Sequence, residues 1–120
     1  MKYILLLLLL FATKNVFSQK FISGAIMSNA LQVKHQTEIE INDTLFILTD
    51  PKSGNVKKYK ILSKSINNTS FKLSDNVRDF IADIQYYEKP PMKVKGTAYH
   101  YWITISLNNQ SFTYFSEKTE

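Results

Sequence analysis

The sequence predicts a single, mainly antiparallel β-domain that follows a short export signal. Two observations predict the fold class: apolar and polar residues alternate with period two in several short segments, and turn-forming residues separate these segments at regular spacing. We expect about seven or eight short strands, arranged as a small meander barrel or a rolled sheet. The alternatives are a β-sandwich, or an α+β fold if residues 77–88 form a helix.

The N-terminus has the pattern of a cleaved signal peptide. Lys2 precedes an apolar block, Ile4–Ala12, and Val16–Ser18 places short side chains where signal peptidase cuts. The uncharged stretch that ends before Lys14 is too short to cross a hydrocarbon core about 30 Å thick. We therefore expect a periplasmic or secreted protein, residues 19–120, with no permanent membrane span after cleavage.

Composition narrows the function classes of the exported chain. Thirteen cationic side chains remain against ten acidic ones, and all but Arg78 are lysines. This weak charge and the scarcity of arginine argue against nucleic acid as a partner. The chain has no cysteine, which excludes a disulfide scaffold, cysteine-based zinc sites and a lipoprotein anchor. The exported protein is thus expected to be soluble.

The first elements are predicted from alternation and turn residues. Phe21–Ala30 is expected to be a strand, and the polar segment Leu31–Gln36 is expected to connect it to the next one. The following segment alternates on both sides of Asn42-Asp43, which predicts a two-residue turn there. That turn would place Ile39 opposite Phe46.

A turn signal at Asp50–Gly54 leads into a further strand, Asn55–Ser65. A three-residue loop, Asn67–Thr69, is expected next. We prefer this loop length because it places Phe71 and Leu73 on the apolar face of the hairpin, whereas a shift of one residue would turn them toward solvent.

Val77–Glu88 satisfies two periodicities. Its apolar residues fit a helical spacing, and they also fit the period of two that is typical of a strand. β-branched and aromatic residues favour the strand, so we predict a strand that ends before Pro90-Pro91. Pro90–Gly96 is then the longest irregular loop.

Tyr99–Leu107 alternates over nine residues and predicts a strand, with Tyr99 on the same apolar face as Tyr101. Asn108-Asn109 is suited to a two-residue turn. This turn sets three cross-strand pairs: Ile105 with Phe112, Ile103 with Tyr114, and Trp102 with Phe115. Apolar face meets apolar face in this register, so the turn and the pattern agree.

The other face of this hairpin supplies the candidate ligand-binding residues: His100, Trp102, Thr104 and Phe115. Aromatic rings interleaved with hydroxyl groups are typical of a flat sugar or peptide site, although a second wall of a closed barrel or a dimer contact would use them equally well. We predict an exported, non-enzymatic binding or interaction module. It would use this aromatic face, or a barrel mouth, to hold a small ligand, a glycan or an envelope protein.

Two rival functions remain open from the sequence. His35 and His100, with nearby carboxylates, could serve a hydrolase or a metal-dependent enzyme, and a structural or inhibitor protein of the cell envelope would need no ligand. The sequence contains no nucleophile elbow, glycine-rich phosphate loop or H-E-x-x-H motif. We therefore assign no catalytic residue, metal ligand or cofactor.

The leader pattern makes the first testable prediction. We expect the exported protein to begin at Gln19, because signal peptidase prefers small side chains just before the cut. Intact-mass spectrometry of protein recovered outside the cytoplasm measures the N-terminus directly. A chain that still begins at Met1 would contradict the prediction.

Overall fold

The structure, a computed structural model, describes residues 18–119. The predicted signal peptide therefore lies outside the described residues, except for Ser18. Eight antiparallel strands follow one another along the chain: β1 Ser18–Ser28, β2 Leu31–Asn42, β3 Leu45–Thr49, β4 Val56–Lys64, β5 Ser70–Ser74, β6 Asp79–Tyr86, β7 Tyr101–Leu107 and β8 Gln110–Lys118. Within residues 18–119, no helix could cross a lipid bilayer.

The eight strands form a closed meander barrel. Each strand pairs with its neighbours in sequence, and β8 returns to pair with β1. The predicted barrel is confirmed, and so is the strand at β6, whereas the sandwich and the helix for residues 77–88 are wrong. Closure gives every named strand a neighbour on both sides, although the first residues of β2, Leu31–Thr37, have no partner on the β3 side.

Side chains fill the interior of the barrel. Every strand contributes inward-facing apolar residues, and the buried ones include Phe21, Ile39, Ile41, Phe46, Phe71, Leu73, Ala82 and Ile103. Aromatic rings meet edge to face across this core, for example Phe46 and Phe71 with ring centroids 6.1 Å apart. An eight-stranded barrel is just wide enough for its interior to be filled in this way.

The β1–β2 connection differs from the prediction. Leu31–Gln36 is part of β2 and not a connecting segment. Asn29 and Ala30 form a two-residue turn, and both have positive φ angles, of 52° and 67°. Such a turn matches the twist of the flanking strands and lets β2 begin at once.

The β2–β3 register also differs from the prediction. The turn lies at Asp43-Thr44, so Ile39 pairs with Leu48 and not with Phe46. The Asn42 side chain causes the shift, because its Oδ1 accepts hydrogen bonds from the backbone N–H groups of Thr44 and Leu45. The shift is two residues, which leaves the inward faces as predicted.

The β4–β5 loop is longer than expected and spans residues 65–69. The Ser65 hydroxyl organises it by accepting hydrogen bonds from the N–H groups of Thr69 and Ser70. A register shift between Ile61 and Ser63 compensates for the change in loop length. Phe71 therefore faces the core as predicted.

The C-terminal hairpin has the predicted register, with the turn at Asn108-Asn109 and all three expected pairs. Its first strand begins at Tyr101, however, and Tyr99 belongs to the preceding segment. Tyr99 packs on the outer side of the barrel against Phe115 and not with Tyr101 on the inner face. The alternation stops at Tyr101 because residues 87–100 fold back over the outside of the wall.

The two ends of the barrel are unlike. Gln19 on β1 donates a side-chain hydrogen bond to the carbonyl of Asn68, 3.3 Å away in the β4–β5 loop. Because β1 and β5 are four strands apart, this bond spans one end of the barrel. We call the other end, at the turns 29–30, 50–55, 75–78 and 108–109, the open end.

Ile103→Ala should lower the free energy of unfolding by about 2–5 kcal/mol, since the side chain is fully buried in the barrel and its loss leaves a cavity. Chemical denaturation measures the change. The matched control is Ile81→Ala on β6, whose side chain is exposed, and it should change stability by no more than about 0.5 kcal/mol. Equal losses for both variants would contradict the face assignment.

Candidate functional site

The predicted aromatic face is covered by the chain itself. Trp102 and Phe115 pair on the outer side of the barrel wall, as predicted. Phe115 is nevertheless fully buried, in a small cluster with Ala25 and Val94. The segment 87–100 lies over this cluster, so Phe115 offers no surface to a ligand in this conformation.

The covering segment 87–100 has a defined structure. Val94 and Thr97 exchange two backbone hydrogen bonds around Lys95-Gly96, both of which have positive φ angles. This tight turn inserts the Val94 side chain into the outer cluster, where it is fully buried. The Trp102 indole N–H donates to the carbonyl of Tyr99, 3.1 Å away, and so ties the end of the segment to β7.

The two polar candidates have structural partners. The His100 backbone N–H donates to the Glu117 carboxylate at 2.7 Å, and His100 Nδ1 lies 2.9 Å from the other oxygen of that carboxylate. Thr104 Oγ1 lies 3.0 Å from Thr113 Oγ1 on the neighbouring strand. No sequence pattern indicated Glu117, which links the end of segment 87–100 to β8.

The histidines do not form one centre. His35 Nε2 lies 3.4 Å from Asp50 Oδ2, whereas His100 is paired with Glu117. His35 and Glu117 border the same open groove on the outer wall, with Tyr99 above Gly24 at its floor. Among residues 18–119, no group of three or more His, Cys, Asp or Glu side chains is placed to hold a metal ion.

A separate cavity of about 530 Å³ occupies the open end of the barrel. Its apolar floor is the top of the barrel core. The lining residues are Leu48, Lys57, Lys58, Tyr59, Asp75, Arg78, Phe80, Ile105, Leu107, Gln110, Phe112 and Tyr114. The volume lies within the range of small-molecule sites, which is about 300–1,000 Å³.

Two cationic residues that line this cavity stand at inward-facing positions of the barrel. Lys57 pairs with Leu48 and alternates with Tyr59, so it lies on the inward face of β4. Arg78 precedes β6, and its guanidinium carbon lies 5.6 Å from the centre of the Phe80 ring. The long side chains can lie along apolar surface while their charged ends reach the opening.

The charges at the mouth are not balanced. Arg78 forms an ion pair with Asp75, at 3.7 Å. No acidic side chain of residues 18–119 forms an ion pair with Lys57. The Asp75 carboxylate also accepts backbone N–H bonds from Arg78 and Val77, and these bonds hold the pKa of Asp75 below its usual value. Asp75 is thus an anionic cap of the β5–β6 turn.

Two tyrosines line the mouth as neutral phenols. Burial raises the pKa of Tyr114 above its usual value, and the nearby Tyr59 adds to the shift. Burial likewise raises the pKa of Tyr59, with the negative charge of Asp75 acting in the same direction. Both hydroxyl groups therefore keep their protons at neutral pH and can donate hydrogen bonds.

The sequence contained a signal for this site: two cations stand at alternate positions in step with the inward-facing residues of their strands. Lys57 has the same parity as the inward-facing Tyr59 and Ile61, and Arg78 has that of Phe80 and Ala82. A cation in phase with a barrel core, at the end of a strand, indicates a charged group at the mouth. That two such cations lie at the same end of the barrel follows only from the topology.

No protein-family model, curated protein or solved structure matches this chain. The geometry of the barrel and its mouth therefore carries the functional argument.

The outer cluster makes a prediction that separates a core from a recognition surface. Phe115→Ala should lower the free energy of unfolding by about 3–5 kcal/mol, because a fully buried aromatic ring is lost. Phe112→Ala is the matched control: the same residue on the same strand is exposed at the mouth, and we expect a loss of about 1 kcal/mol. Chemical denaturation of both variants tests the assignment, and a stable Phe115→Ala protein would contradict it.

Proposed function

We propose that this chain is an exported, non-enzymatic binding protein that holds one small amphipathic anion in the open mouth of the barrel. One observation carries the proposal: two cations at inward-facing positions, Lys57 and Arg78, border a cavity of about 530 Å³ whose floor is the apolar top of the barrel core. The leader pattern of the first 18 residues supports export.

The filled interior limits the shape of the ligand. Phe80 and Ile105 belong to the barrel core and close the cavity from below. An apolar body would therefore rest on Phe80, Ile105 and Leu107 at the mouth, without entering the barrel. A ring system or a short acyl chain has the appropriate size for such a shallow cavity.

The charges favour an anionic group on that ligand. Asp75 offsets part of the charge of Arg78, but Lys57 has no acidic partner among the described residues. A carboxylate, sulfonate or phosphate near Lys57 would gain charge-assisted hydrogen bonds in a partly desolvated site. The neutral hydroxyl groups of Tyr59 and Tyr114 can donate further bonds to the same group.

The mouth is favoured over the other candidate sites for physical reasons. Phe115 lies under segment 87–100, which argues against the aromatic face as the contact surface. The histidines of the rival hydrolase each lie next to a different carboxylate, and neither lines the mouth. Binding without chemistry is thus the function that the mouth supports best.

Titration with two fluorescent probes tests the proposal on residues 19–120. Anilinonaphthalene sulfonate carries an anionic group, and phenylnaphthylamine is a neutral probe of similar shape. We expect Lys57→Gln to weaken sulfonate binding about tenfold, because one charge-assisted contact is lost. The same variant should leave binding of the neutral probe unchanged.

Two further variants serve as controls. Lys60→Gln removes a cation from the outward face of the same strand and should have no effect on either probe. Leu107→Trp should fill part of the mouth and weaken both probes, and Leu62→Trp, at an exposed site outside the mouth, should weaken neither. Equal effects of Lys57→Gln and Lys60→Gln would contradict the proposal.

A further inference from the structure

Exposed apolar side chains lie around the open end of the barrel. Of eleven large apolar residues that are exposed within residues 18–119, five lie on the rim of this end: Leu31, Val33, Val56, Val77 and Phe112. They come from four places around the opening, namely β2, β4, the β5–β6 turn and β8. Soluble monomeric proteins seldom gather exposed apolar groups in this way unless the surface has a partner.

The strand lengths explain why the rim is exposed. β2 pairs with β3 only from Glu38 onward, so seven residues of β2, Leu31–Thr37, extend beyond that pairing. On this extension Val33 pairs with Ile26, whose other partner is Tyr114 on the inner face of β8. The inner face of the β1–β2 arm therefore continues the apolar lining of the mouth upward, without a neighbouring strand on the β3 side.

Cations accompany the apolar rim. Lys57, Lys58 and Arg78 all line the opening. Among the described residues that line the cavity, Asp75 is the acidic one, and it forms an ion pair with Arg78. Aliphatic groups next to unbalanced positive charge match the interface of an anionic bilayer, where acyl chains lie just below negatively charged headgroups.

We propose that the open end docks peripherally on an anionic lipid surface, with Leu31, Val33 and Val77 entering the headgroup region. A lipid surface fits better than a rigid protein, because the rim surrounds a cavity that a rigid partner must either fill or leave as a void. Fluid acyl chains adapt to such an opening. Docking stands on the rim residues and does not require the mouth to hold a soluble ligand.

The test is co-sedimentation of the exported chain, residues 19–120, with lipid vesicles. We expect binding to vesicles of phosphatidylglycerol and phosphatidylcholine, little binding to phosphatidylcholine alone, and weaker binding as salt is raised, because salt screens the attraction. The double variant Leu31→Ser/Val77→Ser should weaken vesicle binding about tenfold, since it removes apolar contact with the interface.

The opposite side of the molecule offers a matched control. Leu62 and Ile66 are 51% and 103% exposed, against 67% and 86% for Leu31 and Val77. Leu62→Ser/Ile66→Ser therefore removes a similar amount of exposed apolar surface without touching the rim, and it should bind vesicles like the parent. Circular dichroism should show that both double variants remain folded, because all four side chains are exposed.

Three results would overturn docking: no binding to anionic vesicles, equal loss in the two double variants, or a rim variant that changes only self-association in sedimentation velocity. The last result would assign the rim to a contact between two copies of the chain. Probe binding in solution is a separate readout, so failure of vesicle binding and failure of the mouth site are distinguishable.

Discussion

The pairing of β1 with β8 is the interaction on which the rest of the structure depends. It converts a meander of eight strands into a closed barrel. Each strand then has a hydrogen-bonded neighbour on both sides. Closure also fixes which side chains of each strand point into the barrel. Phe21 and Tyr101 meet inside, with ring centroids 5.3 Å apart, only because the first and last hairpins are joined.

At Gly24, where β1 pairs with β8, the inward and outward faces of β1 change places. The pairing of β1 with β8 shifts between Ser23 and Ala25, and Ala25 then joins Phe115 on the outer side of the wall. Tyr99 lies against Gly24 so closely that a β-carbon there would collide with its hydroxyl group. The register shift at Gly24, the outer cluster and segment 87–100 therefore depend on one another.

The sequence predicted the closed antiparallel fold well because alternation and turn chemistry are local signals. The turn at Asn108-Asn109 and the apolar pattern around it specified the last hairpin together. The turn after β2 was predicted one residue too early. An asparagine inside a turn cannot be distinguished in sequence from one that precedes the turn and accepts its backbone N–H groups, as Asn42 does. The covering of Phe115 was beyond prediction, since it depends on how segment 87–100 returns across the barrel.

The outer patch around Phe115 is covered by the chain, whereas the mouth is open, and the chemistry of the two surfaces accounts for this difference. Around Phe115 the outer wall has an apolar patch with no charged group in its cluster, and segment 87–100 buries it through Val94. At the mouth the apolar surface is concave and contains charge, so a loop that covered it would have to desolvate Lys57 without a partner. The cost of burying that cation disfavours such a loop. In the function and the docking that we propose, an anion on a ligand or a lipid headgroup would supply the partner that residues 18–119 do not.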